Sequence, residues 1–328
     1  METIIRQATI DDRENVLQLL NHVFAQQQRS TFVRGNEYWN WKYQDNPFGN
    51  SLITVAEFDN KIIGVDVLLP WEFSMESSVI KALQPCESAV HPDYRGKGIF
   101  TGMRTHGLAN AKMQDVDLLF NFPNQNSLPA NLKLGWQYLG KIHWWVKIIK
   151  PLSVIRGFLS NDKSQPVKID VQYRIDSDYV NHVAQRYLST DGYLKTNRIA
   201  GFHDWRYSNH PHRSYGMVCR EKDGENTIAI FTVNRNGNNY EMIIVDLIGS
   251  AENIVPVIQM VLNAGRQMGI SFVAIMNNMR FRTNELWKLG FLKRKLKNMV
   301  VLPLDAGLEG TITDYANWSL MAGMHDSI

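Results

Sequence analysis

The spacing of apolar residues in the first 150 positions predicts a sheet interleaved with helices. The apolar positions of 16–24 follow the period of one helix face, and Thr9 and Asp12 before them are typical of a helix start. The order helix, hairpin, strand, helix, strand, helix, strand is typical of a mixed α/β (α+β) layer, and Pro85 predicts an edge or a distortion in the third strand. The predicted elements after the first helix are strands at 52–58, 61–69 and 79–90, a helix at 99–113, a strand at 117–122, a short helix at 126–134 and strands within 136–149.

Two short segments recur in the second half of the chain, in the same order and at similar separations. Two matches in register predict an internal duplication, so we expect both halves to have the same fold. Because Trp41 recurs as Trp205, we expect it to serve the fold and not a ligand. The matching pairs are WKYQDNP at 41–47 with WRYSNHP at 205–211, and KLGW at 133–136 with KLGF at 288–291.

Length and composition are those of a globular enzyme with two domains, since 328 residues exceed one ordinary core. The net charge of +3 is too small for the basic surface of a nucleic-acid binder. The sequence leaves open whether the protein forms a homodimer. Cys86 and Cys219 are far apart in the chain, so we expect neither a disulfide framework nor a metal site. Two free thiols favour a cytoplasmic location, and the sequence has no apolar stretch of signal-peptide or membrane-spanning length.

The segment Arg95-Gly96-Lys97-Gly98-Ile99 is the strongest candidate for a ligand site. It lies between a predicted strand and a predicted helix, where glycines let several backbone N–H groups point into one concavity. The positive end of the helix and two basic side chains would add to the attraction for a pyrophosphate. The segment has neither the Walker pattern nor the dinucleotide pattern of glycines. A glycine-rich turn with solvated charges is the alternative interpretation.

The run from Val90 to Phe100 closely resembles the acetyl-CoA motif of the GNAT N-acetyltransferase superfamily, Arg/Gln-x-x-Gly-x-Gly/Ala. The resemblance covers about residues 1–150, and it reaches the second half only through the repeat. Phe100 departs from the pattern, because it stands where the motif has a small residue and must turn away from the pyrophosphate. Gly102 and Gly107 would let the following helix lie close to the sheet.

What the resemblance implies is an acyl-CoA site built around two strands that splay apart. The strand at 84–90 would separate from the parallel strand at 117–122, the pantetheine arm would enter the gap, and the thioester would lie near 86–89. The acyl donor would be acetyl-CoA or another acyl-CoA. The residues expected to bind it are Ala89, Val90, Arg95, Gly96, Lys97, Gly98, Ile99, Phe100 and Asn126.

The catalytic groups are less well defined than the cofactor site. Glu87 is the candidate base that removes a proton from the amine, with a surface or salt-bridged carboxylate as the alternative. The resemblance implies a tyrosine acid at a position that holds Asn131 here. Ser127 or water would replace it, or the thiolate would leave without an acid. His91 and His106 are weaker candidates.

The second half has no counterpart of the phosphate motif. Residues 245–253 occupy its place, and Asp246 and Glu252 there would repel a pyrophosphate. We therefore expect this half not to bind CoA but to close the acceptor site, cover the first half or form a dimer. The extension at 315–326 can reach back to the site. The expected organisation is a GNAT acyl-CoA-binding domain at 1–150, a linker at 151–168 and a degenerate GNAT-like domain at 169–328.

The predicted function is transfer of an acetyl or other short acyl group from acyl-CoA to the primary amine of a small molecule. Segments such as 41–47 resemble those of GNAT proteins associated with surface polysaccharides, which favours an amino-sugar acceptor by analogy. The alternatives are an aminoacyl-tRNA-dependent tandem-GNAT transferase and a non-catalytic CoA-binding regulatory or scaffold protein.

Overall fold

One mixed sheet runs through the protein in the computed structural model. Its strand order is β1-β2-β3-β4-β5-β12-β6-β11-β10-β9-β8, and the short β7 pairs with β3 outside this path. Helices cover both faces, so the predicted mixed α/β class is confirmed. The structure describes residues 2–26, 32–125, 127–152, 173–187, 192–236, 239–277 and 283–326.

The first half contains the predicted elements in the predicted order. The helix predicted at 99–113 has those bounds, whereas the second strand of the hairpin continues six residues beyond 69. A short π-helix follows α2 at Asn40–Gln44. The elements are β1 (Ile4–Gln7), α1 (Arg13–Gln26), α2 (Asn36–Trp39), β2 (Leu52–Phe58), β3 (Lys61–Met75), β4 (Ser78–Val90), α3 (Ile99–Met113), β5 (Leu118–Asn121), α4 (Leu128–Lys133) and β6 (Gln137–Ile148).

The second half repeats this order. Its π-helix, Asp204–Ser208, corresponds to the one at Asn40–Gln44, and both fall in the repeated WxY segments. The predicted linker lies outside the described residues except for 151–152, so the domain boundaries stay a prediction. The elements are α5 (Ser177–Arg186), β7 (Lys195–Thr196), β8 (Tyr215–Lys222), β9 (Glu225–Asn236), β10 (Asn239–Gly249), α6 (Ile254–Gln267), β11 (Phe272–Asn277), α7 (Thr283–Lys288), β12 (Leu292–Pro303) and α8 (Glu309–Ile312).

The two halves exchange their last strands. Strand β6 of the first half pairs with β11 of the second, while β12 of the second half pairs with β5 of the first. The exchanged strands also pair with each other. Because the sheet is continuous through this exchange, neither half can complete its own sheet alone.

The faces of the sheet carry corresponding helices. Helix α1 packs on β3 and β4, and α5 packs on β10. The opposite face carries α3 over β1 to β4 and α6 over β8 to β11. A Cβ at Gly102 would lie 2.5 Å from Ile5 Cδ1 and one at Gly107 would lie 3.3 Å from Leu68 Cδ1, so the predicted close approach of α3 to the sheet is confirmed. Among the helices described, none is long and apolar enough to cross a membrane.

Candidate functional site

Strands β4 and β5 separate after a short stretch of parallel pairing. The paired positions are Ala82 with Leu118 and Leu83 with Leu119, although β4 continues to Val90. The rest of β5 pairs only with β12 on its other side. The sheet therefore has a gap between 84–90 and the end of β5, where the family resemblance implied one. Pro85 lies beside this gap, on what is locally a strand edge that tolerates proline.

A β-bulge marks the wall of the gap on β4. The pairing of β3 with β4 shifts between Val65 and Val67, and Glu87 within the bulge has a φ of 46°. A positive φ is uncommon for a residue other than glycine, so the surrounding contacts must hold this conformation. The bulge reorients the backbone beside the place expected for the thioester.

The glycine-bearing loop follows the end of β4 and leads into α3. Gly96 and Gly98 both have a φ of 76°, and Gly98 directly precedes the helix at Ile99. Within the described residues, the amides of 96–98 donate no backbone hydrogen bond, and 95–98 are exposed. Open amides, two basic side chains and the N-terminus of a 15-residue helix form a site that suits phosphate oxygens.

The side chains of the loop are arranged around these amides. Arg95 Nε donates to Val90 O at 3.1 Å, and Lys97 Nζ lies 5.1 Å from the Tyr94 ring centroid. Ile99 is buried, and the Phe100 ring packs against Arg104 one turn further along α3. This contact is where the bulky residue of the motif is accommodated.

A buried ion pair fixes α3 to the strands below the loop. Arg104 donates to both carboxylate oxygens of Asp66 at 2.7 and 2.6 Å, and both side chains are almost completely buried. Ser88 Oγ donates to the same carboxylate at 2.5 Å. A bidentate pair of this kind sets orientation as well as energy, so it holds the beginning of α3 in register with the bulge on β4.

Glu87 lies in a buried cluster on the face of the sheet that carries α1. Its carboxylate accepts from Arg34 Nε at 2.5 Å, from Tyr38 OH at 3.0 Å and from Tyr43 OH, and Lys42 Nζ lies 3.4 Å away. Burial alone would raise the pKa of Glu87, but Lys42, Arg34 and the Tyr43 hydroxyl outweigh it and lower the pKa to about 2. Glu87 is therefore an ion-paired carboxylate that stays charged.

This environment bears on the predicted role of Glu87 as a base. A carboxylate with so low a pKa binds a proton weakly, since efficient general bases have a pKa near the working pH. The assignment of Glu87 as the base stays a prediction.

The other predicted catalytic positions lie beyond β5. Ser127, at the start of α4, donates from Oγ to Asn124 Oδ1 at 3.2 Å, and Asn131 Nδ2 donates to Ser127 O at 3.1 Å. Asn131 is buried and serves the local fold of α4. Asn126 lies outside the described residues, so its role in cofactor binding stays a prediction, as does the role of Ser127 as acid.

The C-terminal segment reaches this site, as its sequence suggested it can. Gln84 Nε2 donates to Met324 O at 3.0 Å, and the His325 ring stacks on Phe122 at 5.2 Å. His325 Nδ1 lies 3.3 Å from Asp326, and its Nε2 contacts Lys297 Nζ. Burial, with Lys297 next, lowers the pKa of His325 well below its ordinary value, so the imidazole is neutral.

Gln84 begins the strand predicted at 84–90 but was not singled out as a site residue, and Lys297 was not part of the predicted site. Gln84 is a polar residue in a mostly apolar strand, and this pattern could have identified it as a candidate site residue. The position of Lys297 depends on the strand exchange, for which the sequence has no local signature.

The second half has a counterpart of the Glu87 cluster but not of the loop. Asp246 accepts from Arg198 Nη2 at 2.5 Å and from Tyr207 OH at 3.3 Å, and these residues are offset from Arg34 and Tyr43 by the same number of positions. The sequence suggested that Asp246 would repel a pyrophosphate. The structure shows it buried and paired with Arg198 instead, away from solvent.

Comparison with known proteins agrees with this geometry. The family model for the GNAT acetyltransferase domain matches residues 4–139. A search of the curated proteins gave no match. Among solved structures, a GCN5-related N-acetyltransferase from Anabaena variabilis is similar, with 15% identity, a TM-score of 0.64, and coverage of 93% of this chain and 73% of that chain.

Two further solved structures share the fold. A probable N-acyltransferase from Enterococcus faecalis has 11% identity and a TM-score of 0.60. The match covers 93% of this chain and 73% of the Enterococcus chain. The Saccharomyces cerevisiae N-myristoyltransferase with bound myristoyl-CoA has 10% identity and a TM-score of 0.56. The match covers 92% of this chain and 82% of the yeast chain. Residues 4–139 therefore match a GNAT acetyltransferase domain, and the chain as a whole shares the fold of these solved structures.

Proposed function

We propose that the protein is an N-acyltransferase that moves an acetyl group from acetyl-CoA to the primary amine of a small molecule. The observation that carries this proposal is the gap between β4 and β5, which ends at the open amides of 96–98 and the start of α3. A gap of this shape suits an extended thiol arm, and the loop suits its diphosphate.

In this proposal the loop holds the donor by its phosphates. The amides of 96–98 and the first turn of α3 would bind the phosphate oxygens, with Arg95 and Lys97 adding full charges. The pantetheine arm would lie along Ala89 and Val90, and Asn126 stays a predicted contact. Phe100 would stay against Arg104, clear of the phosphates.

The reaction forms a C–N bond between the amine and the thioester carbon and breaks the C–S bond. Most of the acceleration would come from holding the two reactants together, and a backbone amide of the β4 bulge would stabilise the oxygen that becomes negative. The amine loses one proton to a base or to water, and the thiolate leaves with or without a proton from Ser127. In this proposal, Glu87 acts by holding the β4 bulge in place through its contacts with Arg34, Lys42 and Tyr43.

The packing around the gap favours a short acyl group. Trp71 on β3, Phe120 on β5 and Phe122 directly after β5 are buried, and the Phe120 ring contacts both of the others. Closely packed aromatic side chains leave little space for a long chain. This supports acetyl as the donor group, in contrast to the myristoyl-CoA bound by the yeast structure.

The test is turnover with a panel of amino sugars, amino acids and polyamines, measured as CoA thiol released from acetyl-CoA. We expect at least one amine to accelerate thiol release above the rate without an acceptor, with the acetylated amine found by mass spectrometry. Binding of CoA without transfer to any member of the panel would favour a non-catalytic CoA-binding protein. Absence of CoA binding would overturn the proposal.

A further inference from the structure

Gln84 has a buried acceptor atom that the fold does not use. The residue is 1% exposed and directly follows Leu83, the last β4 residue that pairs with β5. Its Nε2 donates to Met324 O at 3.0 Å, but its Oε1 is buried and has no hydrogen-bond partner among the described residues. A buried amide oxygen without a partner is unfavourable, and such groups in native proteins usually meet a ligand or a water.

The orientation of this amide is fixed by its neighbour. The Met324 carbonyl can only accept a hydrogen bond, so the side-chain nitrogen of Gln84 must face it. The oxygen is therefore directed away from the C-terminal segment. Cys86 and Glu87, which belong to the stretch expected near the thioester, follow on the same strand and line the same side of the sheet.

The second half shows that the fold has no need of a polar group here. In β4 the glutamine stands three residues before the paired carboxylate, Glu87. In β10 the residue three before the paired carboxylate, Asp246, is Ile243, and it is buried among apolar side chains. The half that has the phosphate loop therefore carries an amide, and the half that lacks the loop carries a hydrocarbon.

We propose that Gln84 Oε1 accepts a hydrogen bond from the attacking amine and so positions the nucleophile. This inference rests on the proposed N-acyl transfer. An amine uses its lone pair for the thioester carbon and still has N–H groups to donate, and these become more acidic as the C–N bond forms. The hydrogen bond to Gln84 then strengthens in the transition state. Gln84 takes up no proton, and the proton released leaves through a base or water.

The C-terminal segment has a defined part in this arrangement. Met324 is held against the second half, because Arg206 donates to the carbonyls of Gly323 at 2.9 Å and His325 at 2.8 Å. The Met324 carbonyl in turn orients Gln84. The degenerate half therefore acts on the first half through this backbone, and Gln84 is the residue that contacts the substrate.

The experiment uses hydroxylamine as the probe, because it is small and is a neutral nucleophile at pH 7. Since no proton has to be removed before attack, its rate reports how well the nucleophile is positioned. Acetohydroxamate formed from acetyl-CoA is measured for the full-length protein and for Gln84→Met, which keeps the length but not the oxygen. Ile243→Met is the matched control at the corresponding buried position. CoA affinity is measured for all three by calorimetry.

We expect Gln84→Met to lower kcat/KM for hydroxylamine by about 10- to 100-fold, with CoA affinity within twofold of wild type and Ile243→Met unchanged. A Gln84→Met rate within twofold of wild type would overturn the inference and leave the proposed function intact. If the wild type accelerates transfer neither to hydroxylamine nor to the amine panel, the proposed function fails and the inference falls with it.

A second measurement covers the case in which Gln84→Met does not fold. A crystal structure of the wild-type protein with CoA and acetohydroxamate, the product of the probe reaction, should place the hydroxamate nitrogen within hydrogen-bond distance of Gln84 Oε1. A bound water in contact with that oxygen, and no contact with the product, would mean that the atom is satisfied by solvent and would refute the assignment.

Discussion

Trp41 and Trp205 bind each other's backbone. The indole nitrogen of Trp41 donates to the carbonyl of Trp205, and the indole nitrogen of Trp205 donates to the carbonyl of Trp41, both at 2.6 Å. The two rings stack at 5.8 Å. This reciprocal contact joins the repeated segments of the two halves, and it explains why the same residue recurs in the half that lacks a counterpart of the glycine-bearing loop at 95–98.

Replacing either tryptophan by phenylalanine should destabilise the whole chain. Each change leaves a buried carbonyl without its donor, which costs about 1–3 kcal/mol in unfolding free energy. Urea denaturation followed by circular dichroism should still give one transition, because the exchanged strands couple the halves. Trp287→Phe, at a 56% exposed position, is the control and should change stability by less than about 0.5 kcal/mol. Two separate transitions in the wild type would contradict the coupling.

Variants of the corresponding carboxylates Glu87 and Asp246 distinguish an effect on stability from an effect on activity. Glu87→Gln and Asp246→Asn each remove one charge from a buried carboxylate–arginine pair, and each should lower stability by about 3–5 kcal/mol. Only Glu87→Gln should also lower acetyl transfer, because only the first half has the loop at 95–98 to which we assign CoA binding. Equal loss of turnover in the two variants, compared at a temperature where both are folded, would mean that Glu87 acts on the fold alone.

The low pKa of Glu87 predicts how stability depends on pH. The folded pKa of about 2 lies below the ordinary value of 4.5, so between these pH values the unfolded chain binds more protons than the folded one. The contribution of Glu87 is full above about pH 4.5 and is lost as the pH falls toward 2. Denaturation at pH 6 and pH 3 should therefore show a smaller loss of stability in Glu87→Gln than in wild type. An equal loss would mean that the pKa of Glu87 is not lowered.

Alanine variants of two glycines with similar backbone conformation distinguish an effect of backbone strain on stability from an effect on ligand binding. Gly98 has a φ of 76° and Gly201 a φ of 82°, and at both the space for a Cβ is open. Alanine at either position should lower stability by about 1–2 kcal/mol. Only Gly98→Ala should weaken CoA binding in calorimetry, because it distorts the loop at 95–98 to which we assign CoA binding. Unchanged CoA affinity in Gly98→Ala would remove the loop from the binding site.

The elements of the fold were predictable where one local pattern decided them. The bounds of α3 follow from the glycines before Ile99 and the helical period after it, and the repeat follows from two pairs of short similar segments. The strand exchange was not predictable, because β6 and β12 have strand patterns that are compatible with pairing inside their own halves. Only tertiary packing selects the partner.

The same contrast holds at the site. Glu87 was recognisable as a carboxylate on the strand beside the gap, but its partners Arg34 and Lys42 come from elements whose side-chain directions depend on packing. The pKa of Glu87, and with it the weakness of this group as a base, could not be read from the sequence. The sequence suggested that the extension at 315–326 can reach the site, whereas its contact with Gln84 required the structure.

The central claim is that the loop at 95–98 binds the diphosphate of CoA. The most direct test is isothermal titration of CoA into the wild-type protein and into Arg95→Glu, with Lys222→Glu as a charge-matched control on the exposed end of β8. We predict measurable binding to the wild type and the control, and an affinity at least about tenfold lower for Arg95→Glu, a difference of about 1.4 kcal/mol. No heat with the wild type, or equal affinity for Arg95→Glu, would contradict the account.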